Sequence, residues 1–260
     1  MKDLRIVTAV STILLGLSVT AQADSDFNWS GMYTGVHAGA GHQSSNFSDD
    51  GAEATLINCC FLVGGYTSAG AQDATDSGAL GGVQYGGMYQ LERLVFGFDI
   101  DLSKSDFHSS PGQSWTPNGE SEAVGTERLN ITTRWVASQA LSLGYAKSRW
   151  LVFGKAGLAE ASNRYALSVT GTGDAYGADR GSPITFAASS SGTLVGPTVG
   201  AGVKWAVGDH MFVNAEYDFM DFGSDSNHFS GTFGSYGTGA LNTTVNQNIS
   251  VLKVGLNYLF

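Results

Sequence analysis

Cysteine is almost missing from this 260-residue chain: there are two, Cys59 and Cys60, side by side. With no further cysteine and no Cys/His spacing, neither a disulfide framework nor a zinc site organises the fold. A disulfide prefers Cα atoms about 5.5 Å apart, whereas neighbours across a trans peptide sit about 3.8 Å apart. A Cys59–Cys60 bridge is therefore strained, and two loop thiols or an intermolecular link are the alternatives. Proline is scarce, at 4, and charged residues make up only 14 %; that balance excludes a charge-rich disordered chain. Basic residues number 13 against 23 acidic ones, and no basic run is present, which argues against a nucleic-acid partner. No apolar run reaches the roughly 20 residues of a membrane-spanning helix. What the chain has instead is glycine, 36 of it, which suits close-packed strands and sharp turns.

The longest apolar run, residues 6–19, follows Lys2 and Arg5 and precedes Ala21-Gln22-Ala23. A basic start, a short apolar core and a small-x-small site form a secretory signal peptide. The expected organisation is a signal peptide over 1–23 and one domain over 24–260. Removing Lys2, Arg5 and Asp3 leaves 11 basic against 22 acidic residues, a net charge of −11.

The far end reads Ser-Val-Leu-Lys-Val-Gly-Leu-Asn-Tyr-Leu-Phe over 250–260. A strand has period two, so Leu252, Val254, Leu256, Tyr258 and Phe260 share one face, and Lys253, Gly255 and Asn257 the other. An apolar face opposite a partly charged one fits a transmembrane β-barrel, apolar outward and polar inward. A final strand ending on Phe has the form of an outer-membrane assembly signal. Seven more alternating segments precede it: 29–41, 80–90, 94–103, 129–145, 150–161, 194–207 and 211–222. They pair across short turns at 91–93, 146–149 and 208–210. Between the pairs lie long polar stretches at 43–78, 104–126, 162–192 and 223–247, expected to be loops, some of them prolonging the strands above the membrane, since Tyr165, Leu167 and Val169 alternate, as do Ile184 and Phe186. Short turns on one side and long loops on the other give an all-β, eight-stranded antiparallel barrel with four long extracellular loops. Trp29, Tyr89, Tyr145, Trp150, Trp205, Tyr258 and Phe260 fall near the short-turn ends, where an aromatic belt meets the lipid headgroups.

The inward faces gather His37, Asp99, Asp101, Arg134, Lys155, Lys204, Glu216, Asp218 and Lys253, with Gln84 and Asn214 close by. Eight strands enclose an interior just wide enough for side chains to fill. These charges are expected to pair into a plug, with a gated ion path as the competing reading. No Ser/His/acid set marks a catalytic centre, and no enzyme activity is expected. His42, His108 and His228 fall in or beside three loops and could meet on a metal or haem; solvated histidines are the commoner reading. The apolar stretch 56–63 is either a binding patch or a short packed strand.

The opening Trp29-Ser30-Gly31-Met32-Tyr33-Thr34-Gly35, the later Phe98-Asp99-Ile100-Asp101 and Ala215-Glu216-Tyr217, and the tail through Phe260 occur in order. Together they resemble the small outer-membrane β-barrel family of alphaproteobacterial surface antigens, with a more distant likeness to the OmpA transmembrane domain and opacity-type adhesins. The resemblance implies an abundant envelope protein with structural, adhesive, immune-exposed or occasionally haem-binding roles. Inward arginines of the family are replaced here by Ala140, Ser142 and Asn214, with Arg134, Lys155 and Lys204 as candidate substitutes. The expected setting is the Gram-negative outer membrane. Lipid, lipopolysaccharide and the barrel-assembly machinery are the partners, with a host or small-molecule ligand at the loops. The chain is expected to act as a monomer without a resident cofactor.

Overall fold

The computed structural model describes residues 27–56, 72–115, 124–173, 182–232 and 237–260. All its regular structure is β: β1 (Gly31–Leu56), β2 (Gln72–Leu91), β3 (Leu94–Ser109), β4 (Gly112–Trp115), β5 (Val124–Lys147), β6 (Trp150–Gly173), β7 (Ser182–Ala206), β8 (Met211–Thr232) and β9 (Gly237–Leu259). Each strand pairs antiparallel with its neighbour, β9 returns to β1, and β3 pairs with β5. The short β4 pairs with β5 beyond the end of β3, so it prolongs that strand, and the ring has eight members. Closure leaves no edge facing lipid, the condition for strands to cross a bilayer.

Two of the tight turns are two residues long, Glu92-Arg93 and Ser148-Arg149. Each places its first residue at φ 54°, the left-handed conformation that hairpins of this length use. Residues 1–23, expected as a signal peptide, and Cys59-Cys60 lie outside the described residues.

The strands run much further than alternation of apolar residues suggested. A 24-residue strand such as β5 or β6 climbs about 60 Å along a barrel axis at a tilt near 40°, against an apolar band about 25 Å tall. Much of each stretch expected as loop is therefore strand: β1 continues to Leu56, β6 to Gly173, and β9 begins at Gly237. The reason is an exchange of chemistry between the two faces. On β3 the outward positions read Leu94, Phe96, Ile100 and Leu102 and then Lys104, Asp106 and His108. The inward positions change from Asp99 and Asp101 to Phe107. Below, the wall faces lipid and encloses charge; above, it faces water and encloses an apolar core.

That upper core has two tiers. The lower contains Leu80, Phe107, Val136, Leu194, Phe222 and Ile249. The upper contains Phe47, Ile131, Tyr165, Phe186, Phe229 and Val245. Between them Gln43, Thr133, Asn163 and Gln247 are buried and mutually hydrogen bonded, Thr133 Oγ1 donating to Gln43 at 2.7 Å and Gln247 donating to Thr133 Oγ1 at 3.2 Å. Burial holds the Tyr165 phenol above its ordinary pKa.

The wall is not uniformly laddered. Pairing between β7 and β8 stops at Thr198–Met220, although both strands continue. Pairing between β2 and β3 stops at Leu80–Ser105. Past that point side chains take over, with Ala79 N–H donating to Asp106 at 2.6 Å and His108 N–H to Asp76 at 3.1 Å.

Candidate functional site

Alternation along β3, β6, β7, β8 and β9 aims seven ionisable side chains into the lumen, five of them at one level. Lys253 sits 2.8 Å from Glu216, 2.8 Å from Asp218 and 3.3 Å from Asp101. Lys155 reaches the same three carboxylates at 3.0, 3.1 and 3.6 Å. Two ammonium groups thus bridge three carboxylates, and every member is buried. His37 closes the group with Nδ1 3.8 Å from Asp101 and Nε2 2.7 Å from Ser103 Oγ. Ser138 donates to Asp101 at 3.1 Å.

Lys204 forms a separate pair one step toward the short-turn end. Its Nζ lies 3.1 Å from Asp99 and 4.8 Å from the ring centroids of Tyr33 and Phe153, an ion pair backed by cation–π contact. Asp99 also accepts hydrogen bonds from the Tyr33 hydroxyl and, at 2.7 Å, from Ser142. Close by, Gln84, Asn214 and Asn257 form an amide cluster, Asn257 donating to Asn214 at 2.9 Å and Gln84 donating to both asparagines. Asn214, where the resemblance implied an arginine, thus accepts from two amides. Space for the charges comes from inward glycines: a Cβ on Gly200 would run into the Asp218 carboxylate and lie 3.1 Å from Lys155 Cε.

Arg134 is a correction. It is exposed on the outer wall, because a bulge between Thr133 and Trp135 inserts it into β5 as an extra residue against β6. Above the bulge odd-numbered β5 residues point inward; below it even-numbered ones do. A strand read without the bulge assigns Arg134 the wrong face. Trp29 is the second correction. It is buried rather than belted, because 27–30 fold across the mouth. There Trp29 N–H donates to Gln90 at 2.8 Å and its ring packs edge-on against Phe27 and Phe212 at 4.8 and 5.6 Å. Met88, Val95, Leu151 and Leu259 complete this apolar seal. The other belt residues do ring the outside: Tyr89, Tyr145, Trp150, Tyr258 and Phe260 are exposed, and Trp205 stacks on Trp150 at 5.5 Å. The five alternate residues ending at Phe260 all face outward.

The three histidines are not brought together. His42, His108 and His228 are exposed on β1, β3 and β8, each bonded locally, to Ser77, to the Asp106 carbonyl and to Asn242. Sequence reasoning missed Tyr33, Ser142 and the apolar tiers. Tyr33 shares inward parity with His37, so that signal was available; in the upper tier the alternation of Tyr165, Leu167 and Val169 and the position of Phe186 marked prolonged strands, as observed, while Phe47, Ile131, Phe229 and Val245 gave no such pattern.

A chain that is apolar outside, charged and closely packed inside, and closed at eight strands matches one family model over residues 9–260, described as the outer membrane protein beta-barrel domain. The chain belongs to that family. It therefore resides in the outer membrane of a Gram-negative cell. It is 28 % identical over 249 residues to the 31 kDa outer-membrane immunogenic protein of Brucella melitensis, covering 93 % of this chain and 88 % of the relative. The Brucella suis protein of the same name matches to the same extent. Among solved structures, OprG of Pseudomonas aeruginosa aligns over 90 % of this chain and 98 % of its own at 11 % identity, with a TM-score of 0.41.

Proposed function

We propose that this protein is a closed, non-enzymatic barrel that acts at its outer end, as a structural and surface-exposed element of the envelope. One observation supports the reading: buried side chains fill the lumen in successive layers while the same strands continue well past the lipid-facing band. From the short-turn end upward come the Phe27–Trp29–Phe212 seal, the lysine–carboxylate layer and two apolar tiers. Such a body suits holding strand tips and their connections away from the membrane better than passing solutes. The Brucella relatives are named as immunogenic, which fits a surface-exposed column.

A low-conductance channel is the second reading, favoured by the charged layer alone; it needs the seal and both apolar tiers to move together. A haem or host-ligand receptor would have to use the connections between strands.

The test is antibody labelling of intact cells, directed at 57–71, beside a variant in which 57–71 is replaced by a short turn. The reading expects labelling of the intact protein, loss of labelling and of any cell adhesion in the variant, and equal amounts of assembled barrel. Absence of labelling on intact cells, with the barrel fully assembled, would overturn it.

A further inference from the structure

Four cations stand above the apolar band on the described outer wall, and all four are on one side: Lys104 on β3, Arg128 and Arg134 on β5, and Arg164 on β6. All are exposed, and none forms an ion pair among the described residues. At comparable height β1, β2, β8 and β9 present hydroxyls, amides and the carboxylates Asp73 and Asp221. In a chain of net charge −10 this segregation is marked. Lys104 pairs in register with Trp135, Trp135 with Ser162, and Thr132 with Arg164. Lys104, Arg134 and Arg164 therefore occupy three adjacent strands within about 5 Å lateral steps. The half-buried Trp135 sits among them, a side chain suited to the headgroup level. Asp106 and Glu160 flank the group; Asp106 is bonded across to β2, and counting both, the face keeps two net positive charges.

The same face has three chemistries in order. Lowest are Leu102, Leu141 and Leu158, exposed to lipid. Next are Lys104, Arg134 and Arg164. Highest is an open hollow of about 570 Å³ whose lining includes Ser114, Thr126, Arg128, Ser168 and Thr170. Acyl chain, phosphate and sugar follow one another in that order along a lipopolysaccharide molecule standing in an outer leaflet. We propose that the β3–β5–β6 face is a binding surface for lipopolysaccharide, with Lys104, Arg134 and Arg164 on its phosphates and the hydroxyl-lined hollow on its sugars. This depends on the barrel's outward orientation and not on what its tips bind. The Arg134 bulge acquires a purpose: it turns to the outside a guanidinium that regular pairing would bury.

The full chain, folded in zwitterionic detergent, is titrated with lipopolysaccharide, with the same material dephosphorylated, and with inorganic phosphate. Three proteins are compared: wild type, Lys104→Gln/Arg134→Gln/Arg164→Gln, and a control bearing Lys147→Gln and Arg149→Gln at the opposite rim. Surface cations of this kind predict a loss of about tenfold to a hundredfold for the triple variant and for dephosphorylated ligand, with the control unchanged. Arg134→Gln alone, with a smaller loss in the same direction, serves if the triple variant does not fold. Unaltered affinity in the folded triple or single variant, or equal affinity for dephosphorylated ligand, overturns the assignment. Displacement of lipopolysaccharide by millimolar inorganic phosphate would reveal a soluble-anion site and overturn it too.

Discussion

Lys253 and Glu216 face each other across the β8–β9 ladder, register partners whose charged groups are 2.8 Å apart; Lys155 binds Glu216 and the same Asp101 and Asp218 that Lys253 reaches. Because two lysines serve three carboxylates, the two residues are not equivalent. Lys253→Met leaves three carboxylates to Lys155 alone, whereas Glu216→Gln leaves two carboxylates to two lysines. Breaking a buried pair costs about 3–5 kcal/mol, and the lysine variant is expected at or above the top of that range, with Glu216→Gln well below it. Thermal unfolding of the refolded barrel, followed by heat-modifiable gel mobility, measures the order; Glu216→Gln proving the more damaging would refute the stoichiometric argument.

The seal at the mouth is expected to contribute stability without being the sole barrier. Trp29→Ala removes a fully buried ring packed on Phe27 and Phe212, at a cost of about 3–5 kcal/mol. Two apolar tiers remain above it, so ion leakage should not rise. A Trp29→Ala barrel that stays folded yet conducts would show that the upper tiers do not block the lumen.

The upper column should fail separately from the membrane part. Phe229→Ala and Ile131→Asp empty or charge the tier around Phe47 and Val245, far from the lipid-facing residues. Insertion should proceed normally while protease added to intact cells cuts the variants faster than wild type. Equal protease resistance would mean that this tier adds little to the column's rigidity.

Phe260, 66 % exposed at the end of the outward row, tests assembly. Near the interface a charge costs only about 0–1 kcal/mol, so Phe260→Asp should reduce the amount of barrel reaching the membrane with little change in its melting. Normal yields would argue against a terminal assembly signal.

The membrane half was legible because one rule governs it: apolar out, polar in, period two. The starts of β3, β6 and β8 at Leu94, Trp150 and Met211, and the inward set of His37, Asp99, Asp101, Lys155, Lys204, Glu216, Asp218 and Lys253, follow from that rule. Above the membrane the solvent outside is water, so the rule reverses. Phe47, Ile131 and Phe229 are then the inward residues of polar-looking strands, and a Ser/Asn/Gly-rich strand in water resembles a loop. Arg134 escaped for a different reason. A bulge shifts parity by one residue, and nothing in Thr133-Arg134-Trp135 marks it in the sequence. Trp29 has the inward parity of Tyr33 and His37, so the periodicity of β1 itself points it into the mouth; only its place near the strand end suggested the belt.

The central claim is that the lumen is closed, and single-channel recording of the full chain in planar bilayers tests it most directly. The account predicts insertion, verified by heat-modifiable mobility, with current indistinguishable from the bare bilayer across physiological voltages. Steady open-channel steps from wild-type protein, altered in ion selectivity by Lys253→Met or Glu216→Gln, would contradict it and make the lysine–carboxylate layer a filter.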